Sequence, residues 1–214
     1  MITLYSGTPG SGKSLHASAN LLSCVNLHKK RVVTNYDIDI ARLKNPDMIT
    51  VFDNSQLVSP APLYEISRKH FKDKKIKEGE IVLFLDEAQL LFNSREFGAK
   101  NRMAWLSFFS QHRKLGYDVI LMAQFDRMLD RQIRSLIEYQ VIHRKVSNFG
   151  VFGKILSLLF MGNLFVAVHQ WYPLKTDVGS EFFIARKKYY SLYDTFATFD
   201  MQQTTCGTAK RGTA

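Results

Sequence analysis

Cysteine is scarce in this chain of 214 residues, which has only Cys24 and Cys206, far apart and without a C-x-x-C pair. A disulfide scaffold or a zinc site needs cysteines or histidines clustered at ligand spacing, so the sequence predicts neither. Such cysteine usage is typical of a reducing, cytosolic compartment. The N-terminus has no basic segment ahead of an apolar one, and a secretory signal peptide is therefore not expected.

A long hydrophobic run is also missing. The apolar stretch at residues 155–168 has fourteen uncharged residues, interrupted by Gly162-Asn163, whereas a membrane-spanning helix needs about 20. We favour a partly buried loop and strand with a hairpin-type turn at these two residues. An interfacial membrane contact is the second interpretation, and a transmembrane helix is the least favoured.

Negative charge is in short supply, because 29 Lys+Arg face 19 Asp+Glu and give a formal net charge of +10. This balance favours an anionic partner, either a nucleotide, a nucleic acid or an anionic membrane face, although a merely solvated basic surface would look the same. Six basic residues fall within ten positions: Arg68, Lys69, Lys72, Lys74, Lys75 and Lys77. They are interpreted either as a solvated helix face or as a contact surface for phosphate or lipid.

The strongest positive signal is a phosphate-binding loop near the N-terminus. Residues 7–14 match G-x-x-x-x-G-K-[ST], after a predicted buried strand at residues 1–6 and before a predicted helix at residues 13–28. Backbone N–H groups of such a loop and the positive end of its helix hold anions. Lys13 is predicted to reach the β- and γ-phosphates, and Ser14 to ligate Mg²⁺. The predicted nucleotide-binding residues are Gly7, Thr8, Pro9, Gly10, Ser11, Gly12, Lys13, Ser14 and Leu15.

A carboxylate pair follows a second apolar run. Residues 81–85 read Ile-Val-Leu-Phe-Leu, which is typical of a central parallel strand, and Asp86-Glu87 come directly after them. We expect Asp86 to hold Mg²⁺, directly or through water, and Glu87 to polarise the water that attacks the γ-phosphate. The alternative is an ordinary strand end at which Asp86 caps the next helix.

Further polar residues after predicted strands and helices are candidates for the same site. Gln124 ends the strand at residues 118–124 and either senses the γ-phosphate or satisfies the backbone there. Arg113 either complements a helix C-terminus or acts as a γ-phosphate sensor or a finger reaching a neighbouring subunit. Arg131 and Arg134, on a helix predicted over residues 126–138, are further finger candidates.

From Tyr139 the pattern changes to alternating β-type sequence, at residues 139–146 and again at 182–188. The first of these suits an edge or antiparallel strand. The predicted fold is therefore an α/β P-loop NTPase with a mostly parallel, RecA-like sheet flanked by helices and an antiparallel extension after residue 138. We place this domain at residues 1–200 and predict a disordered tail at residues 201–214.

Several of these motifs together resemble the zonular occludens toxin (Zot) family. The resemblance covers roughly residues 1–196. It includes the N-terminal phosphate loop, the strand end at residues 85–88, the block Q-H-R-K-L-G-Y-D-V-I-L-M-A-Q at 111–124, D-R-Q-I-R at 130–134, Glu138, H-R-K at 143–145 and Y-Y-S-L-Y-D at 189–194. The block at 111–124 and D-R-Q-I-R are more specific than the nucleotide motifs.

The resemblance implies a P-loop ATPase that uses ATP and Mg²⁺ on the cytoplasmic side of the host inner membrane, where it powers assembly and export of filamentous phage. It would act as a homo-oligomer with other phage assembly proteins, and contact with the membrane surface or with single-stranded DNA is an added expectation. The family usually continues into a transmembrane helix and a periplasmic part, neither of which is seen in this sequence. A DNA-translocating or DNA-packaging ATPase is the alternative, followed by a non-hydrolysing scaffold and a small-molecule kinase.

Overall fold

The computed structural model describes residues 1–36, 38–93 and 99–192. Within them the strands are β1 (Ile2–Ser6), β2 (Arg31–Thr34), β3 (Ile49–Val51), β4 (Ile81–Leu85), β5 (Tyr117–Ala123), β6 (Tyr139–Lys145), β7 (Leu164–Trp171) and β8 (Thr176–Ile184). The helices are α1 (Lys13–Asn26), α2 (Ala61–His70), α3 (Ala88–Leu91), α4 (Ala99–Gln111), α5 (Arg131–Arg134), α6 (Gly150–Leu159) and α7 (Lys187–Tyr190). Short 3₁₀ turns lie at Ile40–Arg42, Pro46–Met48, Asn54–Leu57, His112–Leu115, Asp126–Met128 and Val146–Asn148.

All eight strands form one sheet in the order β3-β2-β4-β5-β1-β6-β7-β8. The pairings from β3 through β6 are parallel, and β6–β7 and β7–β8 are antiparallel. The predicted fold class, a mostly parallel sheet with an antiparallel C-terminal part, is confirmed. The prediction of an edge or antiparallel strand at residues 139–146 is only half correct. Strand β6 lies inside the sheet, parallel to β1 and antiparallel to β7.

The central strands are buried on both faces, which explains why they are apolar without alternation. In β4, all five residues are buried. Leu83 faces a cluster that includes Trp105 and Phe108 of α4, whereas its neighbour Phe84 faces a cluster that includes Leu21 of α1. Helices therefore cover both faces of the parallel region, and this rigid support fixes the loops at the strand ends.

The helix predicted over residues 126–138 is wrong. A 3₁₀ turn and the four-residue α5 replace it. The Asp130 N–H donates to the Phe92 carbonyl oxygen at 2.9 Å, and the Asp130 carboxylate accepts from the N–H groups of Gln132 and Ile133. Because Asp130 is engaged as a helix N-cap, the chain is extended at this point and a new helix has to begin after it.

Residues 155–168 also differ from the favoured prediction. The first half belongs to α6 instead of a loop, and the second half is the buried part of β7, which agrees with the predicted strand. Strand β8 begins at Thr176, earlier than the strand predicted from residue 182. None of the helices among the described residues has the length and apolar character to cross a membrane. The domain boundary at residue 200 and the predicted tail lie outside the described residues.

Candidate functional site

The candidate site lies at the edge of the sheet where the parallel strands end. Strands β1, β4 and β5 run in the same direction, so the residues that follow them meet at one edge. Strand β5 pairs with both others and places Gln124 between the phosphate loop and Asp86. The Gly7 N–H donates to the Gln124 carbonyl oxygen at 3.2 Å. The sheet order thus brings together three segments far apart in sequence.

Two glycines of the loop are required by its geometry. Gly7 has φ 146°, and a Cβ there would lie 2.6 Å from the His143 carbonyl oxygen and 2.6 Å from Ser11 Oγ. Gly12 has φ 95°, and its Cβ would lie 2.7 Å from the Phe165 ring. Because any side chain at these positions meets β6 or β7, the loop is held tightly against the sheet.

Lys13 and Ser14 begin α1, immediately after the loop. Lys13 Nζ donates to the Gly7 carbonyl oxygen at 2.6 Å, so the ammonium group lies across the loop. Burial lowers the pKa of Lys13, an effect opposed by the nearby carboxylates Glu87 and Asp86. The Ser14 carbonyl oxygen accepts from the Tyr36 hydroxyl at 3.2 Å. Lys13 therefore interacts electrostatically with both Asp86 and Glu87.

The remaining loop residues differ in exposure. Thr8, Pro9 and Gly10 are exposed at the tip, whereas Leu15 is buried in the first turn of α1. Ser11 is buried, and its Oγ has no hydrogen-bond partner among the described residues. A buried, unpartnered hydroxyl inside a loop of positive-φ glycines suits a site that takes an anion such as phosphate.

The Asp86 backbone is held by Asn35, a residue that sequence reasoning missed. The Asp86 N–H donates to Asn35 Oδ1 at 2.7 Å, and Asn35 Nδ2 donates to the Asp86 carbonyl oxygen at 3.0 Å. Asn35 follows β2, which pairs with β4, and the two contacts fix the Asp86 backbone at the end of β4. Burial raises the pKa of Asp86 to about 6.

Glu87 is held in a rare backbone conformation. Its φ of 43° and ψ of 47° lie in the left-handed region, which a non-glycine residue seldom adopts. The buried Gln89 donates from Nε2 to Glu87 Oε2, and Gln89 Oε1 has no partner among the described residues. Such conformations are found preferentially at functional sites. Gln89 is a second residue that the sequence did not single out.

Hard oxygen donors fit a magnesium ion here. The Ser14 hydroxyl and the Asp86 carboxylate are of the type that Mg²⁺ prefers, and Mg²⁺ commonly takes only one or two protein ligands beside phosphate and water. In the described parts of the chain, no group of three or more His, Cys, Asp or Glu side chains could hold a metal ion by itself.

Arg113 does not join this cluster. It lies in the 3₁₀ turn before β5, at the opposite edge of the sheet, where its guanidinium pairs with Glu138. The seven residues of β5 separate the two edges by roughly 20 Å. A role as γ-phosphate sensor within its own chain is therefore wrong, and only a role towards a neighbouring subunit stays a prediction. Arg131 and Arg134 lie on the crossover between β5 and β6.

Histidines link the phosphate loop to the antiparallel strands, and sequence reasoning missed this contact. His143 Nε2 lies 2.8 Å from His16 Nδ1, and His143 Nδ1 lies 3.2 Å from the Ser6 carbonyl oxygen. Burial lowers the pKa of His143 to about 3. His16 Nε2 lies 3.2 Å from Glu181 Oε1 on β8. No local sequence pattern signals this cluster, because its members come from α1, β6 and β8.

A cavity of about 440 Å³ adjoins the phosphate loop on the side of β6. Its lining includes Gly7, Thr8, Gln124, Arg144 and Lys145. Its volume is within the range of small-molecule sites, and two cations and one carboxylate, Asp126, lie at its wall. The cavity is therefore a neighbouring space that a ligand bound at the loop could enter.

Comparisons with known proteins agree with this geometry. The family model described as zonular occludens toxin (Zot) matches residues 1–199. The Gene 1 protein of Escherichia phage If1 is 28% identical over 212 residues, which cover 94% of this chain and 58% of the relative. The Gene 1 protein of Enterobacteria phage M13 is 29% identical over 172 residues, covering 77% of this chain and 46% of the relative. The chain thus spans about half the length of these relatives.

Solved structures share the fold at low sequence identity. The N-terminal domain of zonular occludens toxin from Neisseria meningitidis is 21% identical with a TM-score of 0.56, covering 90% of this chain and 98% of that one. The genome packaging NTPase B204 from Sulfolobus turreted icosahedral virus 2, solved with ATP-gammaS, is 14% identical with a TM-score of 0.51, covering 85% and 95%. At these identities the likeness shows the P-loop NTPase fold.

Proposed function

Because the chain belongs to the zonular occludens toxin (Zot) family, we propose that it is the ATP-hydrolysing motor domain of a protein that assembles and exports filamentous phage. The single observation that supports hydrolysis best is the convergence of Lys13, Asp86, Glu87 and Gln124 at one sheet edge, with β5 between the loop strand and the carboxylate strand. A loop that only bound phosphate would need no carboxylates there.

The phosphate chain of ATP would lie along the loop. Backbone N–H groups from Gly7 to Ser14 and the N-terminus of α1 stabilise its negative charge, and Lys13 exchanges the Gly7 carbonyl for phosphate oxygens. Ser14 and Asp86 would hold Mg²⁺, which neutralises charge developing on the β- and γ-phosphates when bound. At neutral pH, Asp86 is ionised and available as a ligand, since its pKa is about 6.

Glu87 would orient and deprotonate the attacking water, with Gln89 holding its carboxylate in place. Gln124, on the strand between, would contact the γ-phosphate or the same water. An arginine from a neighbouring subunit would stabilise the transition state, with Arg113, Arg131 and Arg134 as candidates. Such a finger raises turnover by about 10³-fold or more, so the proposal includes a homo-oligomer.

The place of action is proposed from the phage relatives and the family. The motor would work at the cytoplasmic face of the host inner membrane, together with other phage assembly proteins. A DNA-translocating ATPase is the alternative, and its best candidate contact, the basic stretch from Arg68 to Lys77, lies away from the nucleotide edge. In that stretch Lys74 pairs with Glu80 at 2.7 Å and lies over the Phe71 ring.

Phosphate release and ATP binding, measured together on Glu87→Gln, test the proposal. We expect this variant to bind ATP with affinity near that of the unchanged protein and to lose turnover by at least about 10²-fold, since only the transition state uses the base. The exposed Glu78→Gln is the matched control and should keep full turnover. Full turnover in Glu87→Gln would remove Glu87 as the base.

Concentration and additives separate the two motor hypotheses. Turnover per molecule that rises with protein concentration would support a finger supplied in trans. Stimulation by single-stranded DNA that falls steeply with salt would favour the DNA-translocating alternative. An absence of phosphate release from the concentrated protein with Mg²⁺ would contradict a motor and leave a nucleotide-binding scaffold.

A further inference from the structure

Helix α6 turns its apolar stripe away from the protein. Val151, Ile155, Leu158 and Leu159 recur at the spacing of one helix face and are 72%, 58%, 79% and 75% exposed. Met161 follows in the adjoining turn and is 89% exposed. A surface helix normally buries such a stripe and exposes its polar residues. Contiguous exposed apolar surface of this kind marks an interaction site.

The inward face of the same helix carries small residues that pack closely against the protein. Gly153 and Ser157 are buried against the protein. A Cβ on Gly153 would lie 2.3 Å from the Val146 carbonyl oxygen. Because only glycine allows this close approach, rotation of α6 to bury the leucines would drive a larger side chain into the backbone. The outward orientation is therefore built into the packing.

Positive charge surrounds the stripe. No Asp or Glu occurs from residue 139 to residue 170, a stretch that carries Arg144, Lys145 and Lys154. Lys154 is exposed on α6 itself. The Ala185 N–H donates to the Asn163 carbonyl oxygen at 2.9 Å, which brings the exposed residues 186–188, Arg-Lys-Lys, beside the turn that ends α6. The surface is thus apolar in the middle and basic at its rim.

We propose that this surface, which we call the α6 surface (Val151, Ile155, Leu158, Leu159 and Met161 with the basic rim), binds a bilayer of anionic phospholipids. Ten residues make a helix of about 15 Å, which is too short to span and suits a position in the membrane plane. Apolar side chains enter the boundary between headgroups and acyl chains, while Lys and Arg meet the anionic headgroups.

Charge favours a lipid surface over a second copy of the chain. Two copies packed through this face about a two-fold axis would bring their basic rims together, and like charges across an interface are unfavourable. An anionic membrane supplies the opposite charge, which attracts basic residues near its surface. The inference rests on the proposed function only in that the host inner membrane would supply this bilayer.

Co-sedimentation with lipid vesicles tests the proposal. Vesicles of phosphatidylethanolamine and phosphatidylglycerol are compared with vesicles of phosphatidylcholine, using the full chain and the double variant Leu158→Glu/Leu159→Glu. The matched control is Leu27→Glu/Leu174→Glu, two leucines 76% and 70% exposed at the opposite edge of the sheet. We expect the unchanged chain and the control to bind the phosphatidylglycerol vesicles, and the α6 variant to bind at least tenfold more weakly.

A second probe reports position directly. In Leu158→Trp, the tryptophan fluorescence should shift to shorter wavelength on adding phosphatidylglycerol vesicles and stay unshifted with phosphatidylcholine. Equal losses in the α6 variant and the control, or no binding by the unchanged chain, would overturn the proposal. The proposal would also be overturned if the unchanged chain forms an oligomer without lipid and the α6 variant does not. The α6 surface would then bind a second copy of the chain.

Failure of the proposed function gives a different result. Phosphate release measured without vesicles should be the same in the α6 variant and the unchanged chain, since α6 provides none of the nucleotide-site residues. An unchanged chain that binds vesicles but releases no phosphate would remove the motor function and leave the membrane contact standing.

Discussion

The parallel and antiparallel regions of this single sheet contrast sharply in burial. Strand β4 is buried at all five positions, whereas β8 is exposed at eight of nine. Helices cover the parallel region on both faces, so its strands are apolar throughout. The antiparallel region includes the edge strand β8 and the helix α6, whose leucines are exposed. One region therefore supplies a rigid core, and the other supplies surface for contacts.

The two regions meet at the phosphate loop. Gly7 packs against the backbone of β6, Gly12 against Phe165 of β7, and His16 against Glu181 of β8. Loops in most proteins face solvent. One side of this loop is instead confined by β6, β7 and β8, in the region where β8 and α6 are exposed. The proposed catalytic residues therefore belong to the parallel region, whereas the shape of the loop depends on both regions.

The largest expected effect belongs to Lys13→Ala. Lys13 supplies the one side-chain cation of the proposed phosphate site among the described loop residues, so its removal should lower phosphate release by about 10³-fold or more. The fold should survive, because the hydrogen bonds of this side chain go to the carbonyl oxygens of Gly7 and Thr8 within the loop itself. Circular dichroism and phosphate release, with the exposed Lys114→Ala as control, measure this. Turnover within tenfold of the unchanged chain would contradict it.

Gly7→Ala tests whether the antiparallel region shapes the loop. The added Cβ would meet the His143 carbonyl oxygen of β6, and φ at this position is positive, so we expect the free energy of unfolding to fall by about 2–4 kcal/mol. Denaturant unfolding measures it. The control is Gly179→Ala on β8, where a Cβ meets nothing within 4 Å and a change within about 0.5 kcal/mol is expected. Equal effects would show that β6 does not constrain the loop.

The parallel region was largely predictable from sequence, since buried strands give continuous apolar runs and a phosphate loop has a fixed spacing. Asn35 and Gln89 were not. Asn35 holds Asp86 through two hydrogen bonds from a neighbouring strand, and Gln89 contacts Glu87 two residues away, and neither kind of contact leaves a periodic signal. The helix expected over 126–138 failed at Asp130, because its backbone N–H donates to the Phe92 carbonyl oxygen, a tertiary contact, instead of continuing a helix. Helix α6 was missed because its apolar residues face solvent and its small residues face the protein. In the sequence, such an apolar stripe resembles a buried segment.

Asp86→Asn should stabilise the nucleotide-free protein at pH 7.5. The pKa of Asp86 is raised in the folded state to about 6 from 3.8, so ionisation costs folding free energy on the order of 1–3 kcal/mol above pH 6. Below pH 3.8 the carboxyl is protonated in both states, and the difference from Asn should vanish. Thermal unfolding from pH 3 to 8, with the exposed Asp73→Asn as control, measures this. A difference that grows towards low pH would reverse the sign and contradict the burial effect.

The smallest expected effect on stability belongs to Arg113→Ala, at the edge of the sheet opposite the nucleotide site. In this variant, Glu138 can still accept the hydrogen bond from the Ile2 N–H, which is 3.1 Å long, and the Arg113 side chain that is removed is 51% exposed. The free energy of unfolding should therefore fall by no more than about 1 kcal/mol. Turnover of the dilute protein should be unchanged, because this edge reaches no phosphate of the same chain. Lys114→Ala is the neighbouring control.

A loss of about 10³-fold that appears only at concentrations where the protein oligomerises would make Arg113 the finger in trans and would join this distant edge to the catalytic site of a neighbour. A loss at every concentration would mean that Arg113 acts through the fold, against the separation of the two edges that the sheet imposes.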